Sequence, residues 1–204
     1  AKYPQVVVIA DEIYEHIIFE GRHVSMASFD FINDRVITVN GVSKAYAMTG
    51  WRIGYIGAPV WIAKACNKLQ GQFTSGVCSI AQRAALTALE EKDDSRLRMR
   101  DAFLRRRDLI CGLLKEIPGI KVRVPQGAFY VMPDISFYLG KSDGNIKINT
   151  SDDLALFLLD QAQIAVVGGD AFGAPTCIRI SYANSDDLLA EAVKRMKKAL
   201  ELLK

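Results

Sequence analysis

The chain has 204 residues, 50% of them hydrophobic and 24% charged, with 26 basic against 23 acidic side chains and a net charge of +3. That apolar content excludes a disordered chain, and so small a charge, with no Lys/Arg run or basic–aromatic stripe, leaves no nucleic-acid footprint. The longest apolar runs are far too short to span a bilayer.

Val6 to Ala10 is a continuous apolar run rich in β-branched residues, and it predicts a strand buried on both faces, as in a parallel sheet covered by helices. Arg35 to Val39 predicts a second strand, and Arg52 to Gly57 a third that ends at Ala58-Pro59. Helices follow at Val60 to Gln70 and at Ser79 to Glu91, with Ser79 as the cap of the latter. Residues 93–117 read as one long charged helix, with Phe103, Leu104, Ile110, Leu113 and Leu114 at helical spacing. The basic cluster Arg105 to Arg107 reads as its solvated face, and Pro118-Gly119 stops it. Short strands are expected at Lys121 to Val124 and Ala128 to Met132, then a polar loop from Gly140 to Ile148. A helix from Ser151 to Gln163, strands near Ile164 to Val167 and Cys177 to Ser181, and a helix from Ser185 to Leu203 complete the chain. The domain boundary is placed inside the long helix, with an α/β sheet in 1–100 and a smaller α+β layer in 101–204.

Cys66, Cys78, Cys111 and Cys177 are scattered, with no C-x-x-C pair, which predicts buried free thiols of an intracellular protein. The opening has neither a secretory pattern nor a starting Met, so the expected location is cytoplasmic and the chain looks as if it begins inside a larger protein.

Three ionisable residues stand where an open α/β sheet gathers its ligands, at the ends of strands. Asp11 follows the first strand, Lys44 lies five residues after the second, and Arg52 opens the third. Each alone reads as a solvated loop charge, but the combination has chemical content. A lysine amine desolvated among small residues is a Schiff-base nucleophile. A carboxylate and a guanidinium on neighbouring strand ends suit the two ends of an anionic, nitrogen-containing cofactor. His16 and His23 lie on a polar stretch without ligand spacing, so no metal is expected. Trp51 reads as a packing residue.

Asp11-Glu12-Ile13-Tyr14, followed by Ser43-Lys44-Ala45-Tyr46-Ala47-Met48-Thr49-Gly50-Trp51-Arg52, resembles the core of the fold-type I, class I/II pyridoxal-phosphate-dependent aminotransferases, the group of aspartate and prephenate aminotransferases. Pro125 to Tyr130 and Gly168 to Ala183 are similar to two later segments of that family. The resemblance implies an α/β, partial aspartate aminotransferase-like fold: part of the mainly parallel large-domain sheet plus the C-terminal α+β small domain. It implies pyridoxal 5'-phosphate bound by Asp11, Tyr14, Ser43, Lys44 and Arg52. Lys44 would form the Schiff base and carry the proton, Asp11 would pair with the pyridine nitrogen, and Tyr14 would bond the phenolic oxygen. Arg52, with Ser43, would hold the phosphate, and Arg179 the substrate α-carboxylate.

The implied partners are an amino acid, a 2-oxo acid and a second copy of the chain, with neither nucleic acid nor membrane. Thr74-Ser75-Gly76 would approach the neighbouring subunit's site, or serve as a plain helix cap. Gly41 departs from the Ser that many relatives carry three residues before the lysine. The family's phosphate turn, ring-stacking aromatic and Asn have no counterpart, so the sequence resembles the C-terminal half and is expected to be inactive alone. Two alternatives stand beside this reading: a pyridoxal-phosphate-dependent lyase or synthase, and a non-catalytic aminotransferase-like effector-binding domain.

Overall fold

In a computed structural model, which describes residues 2–91 and 93–204, the chain divides into two compact units, Ala1–Arg100 and Asp101–Lys204. The first is built on β1 (Val8–Asp11), β2 (Val36–Gly41) and β3 (Gly54–Gly57), in the order β1-β2-β3. β1 runs parallel to β2, with Val8 opposite Val36 and Asp11 opposite Val39. β3 runs antiparallel, with Gly41 opposite Gly54, so this sheet is mixed.

The Val6–Ala10 run differs from expectation. Val6 and Val7 precede the strand, and Ile9 within it is 71% exposed. An apolar run reports that a strand can be covered on both faces, not that its own chain covers it. Helices α1 (Val60–Phe73) and α2 (Ser79–Glu90) bury only Ile62 on the first and Ala81 and Ala85 on the second. Ser79 is not the cap of α2. Cys78 holds that position, without a side-chain capping bond. Thr74 instead closes α1, its N–H donating to the Gln70 carbonyl at 3.0 Å, and Ser75 follows with φ +61°.

α3 (Ser95–Lys115) crosses the division between the units, and from Phe103 onward it buries Phe103, Ile110, Cys111 and Leu114. The second unit adds β4 (Tyr130–Val131), α4 (Ser151–Ala162), β5 (Val167–Gly168), β6 (Ile178–Ser181) and α5 (Asp186–Leu200). Its antiparallel sheet has the order β4-β6-β5, with Tyr130 opposite Ser181 and Val167 opposite Arg179. Ile135, Leu154, Phe157, Leu158, Ile178 and Tyr182 form the centre of its core. A capping box starts α4: the Asp153 N–H donates to Thr150 Oγ1, and the Asp153 carboxylate accepts from the Thr150 N–H.

Three other expectations change in this unit. Lys121 to Val124 is not a strand; Lys121 makes one isolated bridge, to Asp134. The strand expected near Ile164 shrinks to β5. The arginine cluster is a solvated face only in part: Arg105 is exposed and, with the more covered Arg106, reaches Asp186 at the start of α5 (3.0 and 3.3 Å), while the largely covered Arg107 donates to the Pro125 carbonyl at 3.2 Å.

The thiols are free, but only Cys111 is buried, while Cys66 and Cys78 are exposed. Trp51 is 46% exposed rather than packed. Gly169 shows a close approach of backbone to backbone. A Cβ there would overlap the carbonyl oxygens of Ala174 and Cys177, and its N–H donates to the buried Ser151 Oγ at 3.0 Å. No helix among the described residues is long and apolar enough to cross a membrane.

Candidate active site

The strand directions collect the charged residues at one end of the first sheet. Asp11 is the last residue of β1, and β2, parallel to it, ends at Gly41 and passes into the 43–46 turn that carries Lys44. Because β3 runs the other way and Gly54 pairs with Gly41, Arg52 enters at that same end. A Cβ on Gly41 would sit 3.0 Å from the Ile53 carbonyl oxygen and 3.1 Å from the Gly54 Cα, both backbone atoms. A side chain at this position would therefore need the β2–β3 step to give by a few tenths of an ångström.

Backbone strain flanks the lysine turn. Ala47 and Arg52 have φ of +53° and +54°, in the left-handed region that L-residues enter only when their surroundings impose it. The Arg52 guanidinium folds back to donate to the Thr49 carbonyl at 2.8 Å. Lys44 Nζ lies 5.8 Å from the centroid of the Tyr14 ring. The exposed Asp11 carboxylate accepts the Ile13 N–H at 3.2 Å, and Ser43 is half-buried in the Lys44 turn. The structure thus brings Asp11, Tyr14, Ser43, Lys44 and Arg52 to one sheet end.

Arg179 belongs to the second unit. It alternates with the buried Ile178 and Ile180 along β6, so it points to the opposite face of that sheet. Its guanidinium lies between two rings, 4.5 Å from the centroid of Tyr130 and 4.3 Å from that of Phe172.

Sequence reasoning overlooked what surrounds Glu12. This carboxylate is buried, accepting from Ser25 Oγ at 2.9 Å and the Met26 N–H at 3.0 Å, with His23 Nε2 3.0 Å from its other oxygen. Burial works to raise its pKa, but the bonds from His23, Met26 and Ser25 outweigh that and leave it below the ordinary carboxylate value. Glu15 is held by Asn40 of β2, whose Nδ2 donates to Oε1 at 2.6 Å. Glu12, Glu15 and His23 converge to within 4.8 Å of one another, although no ligand spacing exists in the sequence. A cleft of about 910 Å³ opens beside this group, lined by Glu15, His16, Arg22, His23, Arg96 and others, and contains none of Asp11, Lys44 or Arg52.

The chain's sequence matches the profile of the family "Aminotransferase class I and II" over residues 1–196. It is 51% identical to a bifunctional aspartate aminotransferase and glutamate/aspartate-prephenate aminotransferase of Petunia hybrida, over 100% of this chain and 44% of that protein. It is 45% identical to an aspartate/prephenate aminotransferase of Cereibacter sphaeroides, over 96% of this chain and 50% of that protein. The crystal structure of the aspartate aminotransferase from Rhizobium meliloti superposes with a TM-score of 0.94 at 43% identity, covering 100% of this chain and 52% of that one. The chain therefore spans about half the length of these relatives and carries the corresponding part of their fold. On its sequence, its strand order and its structural match, it belongs to the class I and II aminotransferases.

Proposed function

We propose that the protein carrying this chain is a pyridoxal-phosphate-dependent aminotransferase that moves an amino group between an amino acid and a 2-oxo acid. The observation that carries this reading is a lysine in a turn at the sheet end that also gathers Asp11 and Arg52, in a member of this family. The donor set fits the cofactor's chemistry: one amine, one carboxylate, one phenol, one hydroxyl and one guanidinium, reached over a β2–β3 step that is tight for a Cβ at Gly41. Bound there, pyridoxal phosphate supplies an electron sink for the substrate's Cα.

The chain's own residues have separate tasks in this reading. The Asp11 carboxylate holds a proton on the pyridine nitrogen, and the Tyr14 hydroxyl donates to the phenolic oxygen. Arg52 and Ser43 bind the phosphate, the guanidinium by paired charge-assisted bonds. Lys44 holds the cofactor in place and, when its amine is free, takes and returns the proton at Cα. Arg179 grips the α-carboxylate and so orients the Cα–H bond. The names of the relatives support aspartate as an amino donor. Exposed Trp61, Leu69, Phe73 and Ile80 on α1 and α2 support a further covering layer in the intact protein, from the rest of its chain and a second copy. The 204 residues alone are accordingly expected not to transaminate.

The test is borohydride reduction of the intact protein incubated with pyridoxal phosphate, followed by peptide mapping. The cofactor is expected on the peptide containing Lys44 and absent from the Lys44→Arg variant. Labelling of another lysine to the same extent in both proteins overturns the assignment.

A further inference from the structure

We propose that Glu12 is a positioning residue, whose buried carboxylate fixes the direction in which Asp11 and Tyr14 leave the sheet; this deepens the pyridoxal-phosphate reading and rests on it. Glu12 and Ser151 are the buried polar side chains among the described residues. A carboxylate removed from water is retained only where bonds replace its hydration, and an apolar side chain would fill such a space at lower cost. Here the backbone N–H, the carbonyl and one carboxylate oxygen of the residue are each hydrogen-bonded. The Glu12 N–H donates to the Val39 carbonyl at 2.9 Å, and the Glu12 carbonyl accepts from the Glu15 N–H at 3.0 Å. One carboxylate oxygen takes the Ser25 hydroxyl and the Met26 N–H, and the other faces His23.

The residue between Asp11 and the Ile13–Tyr14 step is therefore tied to β2 through its backbone and to the 23–26 segment through its side chain. Asp11 itself is exposed, and its bond to the Ile13 N–H lies within the same turn. Such a local bond holds the carboxylate to the turn but does not orient the turn against the sheet. Glu12 makes the ties that do. Glu15, bonded to Asn40, pins the next residue of the turn to β2.

The test compares the intact protein with Glu12→Ala, Glu12→Gln and, as a reference, Asp11→Asn. Three quantities are read: the absorbance spectrum after loading with pyridoxal phosphate, the cofactor dissociation constant, and backbone hydrogen exchange without cofactor. Glu12→Ala is expected to shift the spectrum in the direction of Asp11→Asn and to weaken cofactor binding at least tenfold. Glu12→Gln, which retains an acceptor for Ser25 and Met26, is expected to recover most of both. In the cofactor-free protein, exchange should accelerate at residues 12–17 and at Met26 while β2 keeps its protection. An unshifted spectrum, or loss of protection spread evenly over the first unit, overturns the proposal and leaves Glu12 a stabilising residue only. If Glu12→Ala does not fold, Ser25→Ala, which removes one of the bonds to the Glu12 carboxylate, carries the same readings at smaller amplitude, with the same two refuting results. If the unmodified protein takes up no cofactor, the pyridoxal-phosphate reading fails on its own, and the exchange pattern alone decides whether Glu12 orients the turn.

Discussion

Arg179 offers the most quantitative check on how the second unit would serve a carboxylate. Its guanidinium lies against Tyr130 and Phe172, at 4.5 and 4.3 Å from the ring centroids. Phe172→Leu removes one of these faces. Because Phe172 is 44% exposed, its attraction for the guanidinium belongs at the weak end of the cation–π range, about 0.5–1 kcal/mol. That is about a two- to fivefold loss of amino-acid affinity. Arg179→Lys keeps the charge and loses the planar pair of donors. Losing a hydrogen bond to a charged group costs about 1.5–3 kcal/mol, or roughly tenfold to a hundredfold in affinity. Since both changes act on one guanidinium, the double variant should bind little worse than Arg179→Lys. The assay is titration of the intact, cofactor-loaded protein with an unreactive dicarboxylate, with cofactor content followed by absorbance. Loss of cofactor with unchanged dicarboxylate affinity in Arg179→Lys would refute the reasoning.

Three further outcomes follow from geometry in the individual units. Thr150→Ala breaks the capping box of α4 and should cost about 1 kcal/mol, lowering the melting temperature by about 2–4 °C; an unchanged melting curve would show that the start of α4 is held by packing alone. The N–H groups of Asn149 and Thr150 hold the Asp153 carboxyl below its usual 3.8, so its contribution is complete above that unfolded value and is lost as pH falls through the lower folded one. Urea midpoints measured from pH 6 downward should therefore fall less steeply in Asp153→Asn, and parallel curves would rule this out. Among the thiols, exposed Cys78 is drawn below the ordinary thiol value by the Ala81 and Ile80 N–H groups, whereas burial pushes Cys111 up. Iodoacetamide at neutral pH should modify Cys78 first and Cys111 last, and peptide mapping that finds the reverse order contradicts the structure.

What the sequence revealed depended on how local each signal was. Helices α1, α2, α4 and α5 were legible because their period lies within one stretch, but the caps Cys78 of α2 and Thr150 of α4 were not read. The collection of Asp11, Lys44 and Arg52 was legible from the rule that strand ends gather ligands. Distance along the chain hid the rest. The Arg105–Asp186 pair spans 81 residues, and the Glu12–Ser25 bond joins a strand end to the cap of a single short turn at Met26–Ser28. The left-handed backbone at Arg52 gave no warning either, since neither Gly nor Asn marks it. Burial of Ile9 was misjudged because composition cannot say which polypeptide covers a face.

Gly169 has a consequence for any survey of variants. Its N–H reaches Ser151 at the start of α4, and its carbonyl accepts from the N–H groups of Phe172 and Ala174. Any side chain at this position would meet the carbonyls of Ala174 and Cys177, which are backbone and have nowhere to yield, and would pry open the turn that carries Phe172. In a saturation screen scored by growth, position 169 should look as intolerant as Lys44 in its proposed role, although Gly169 has no part in that role. The two separate once protein abundance is counted alongside turnover: substitutions at Lys44 leave a full complement of silent protein, whereas substitutions at Gly169 deplete the protein itself.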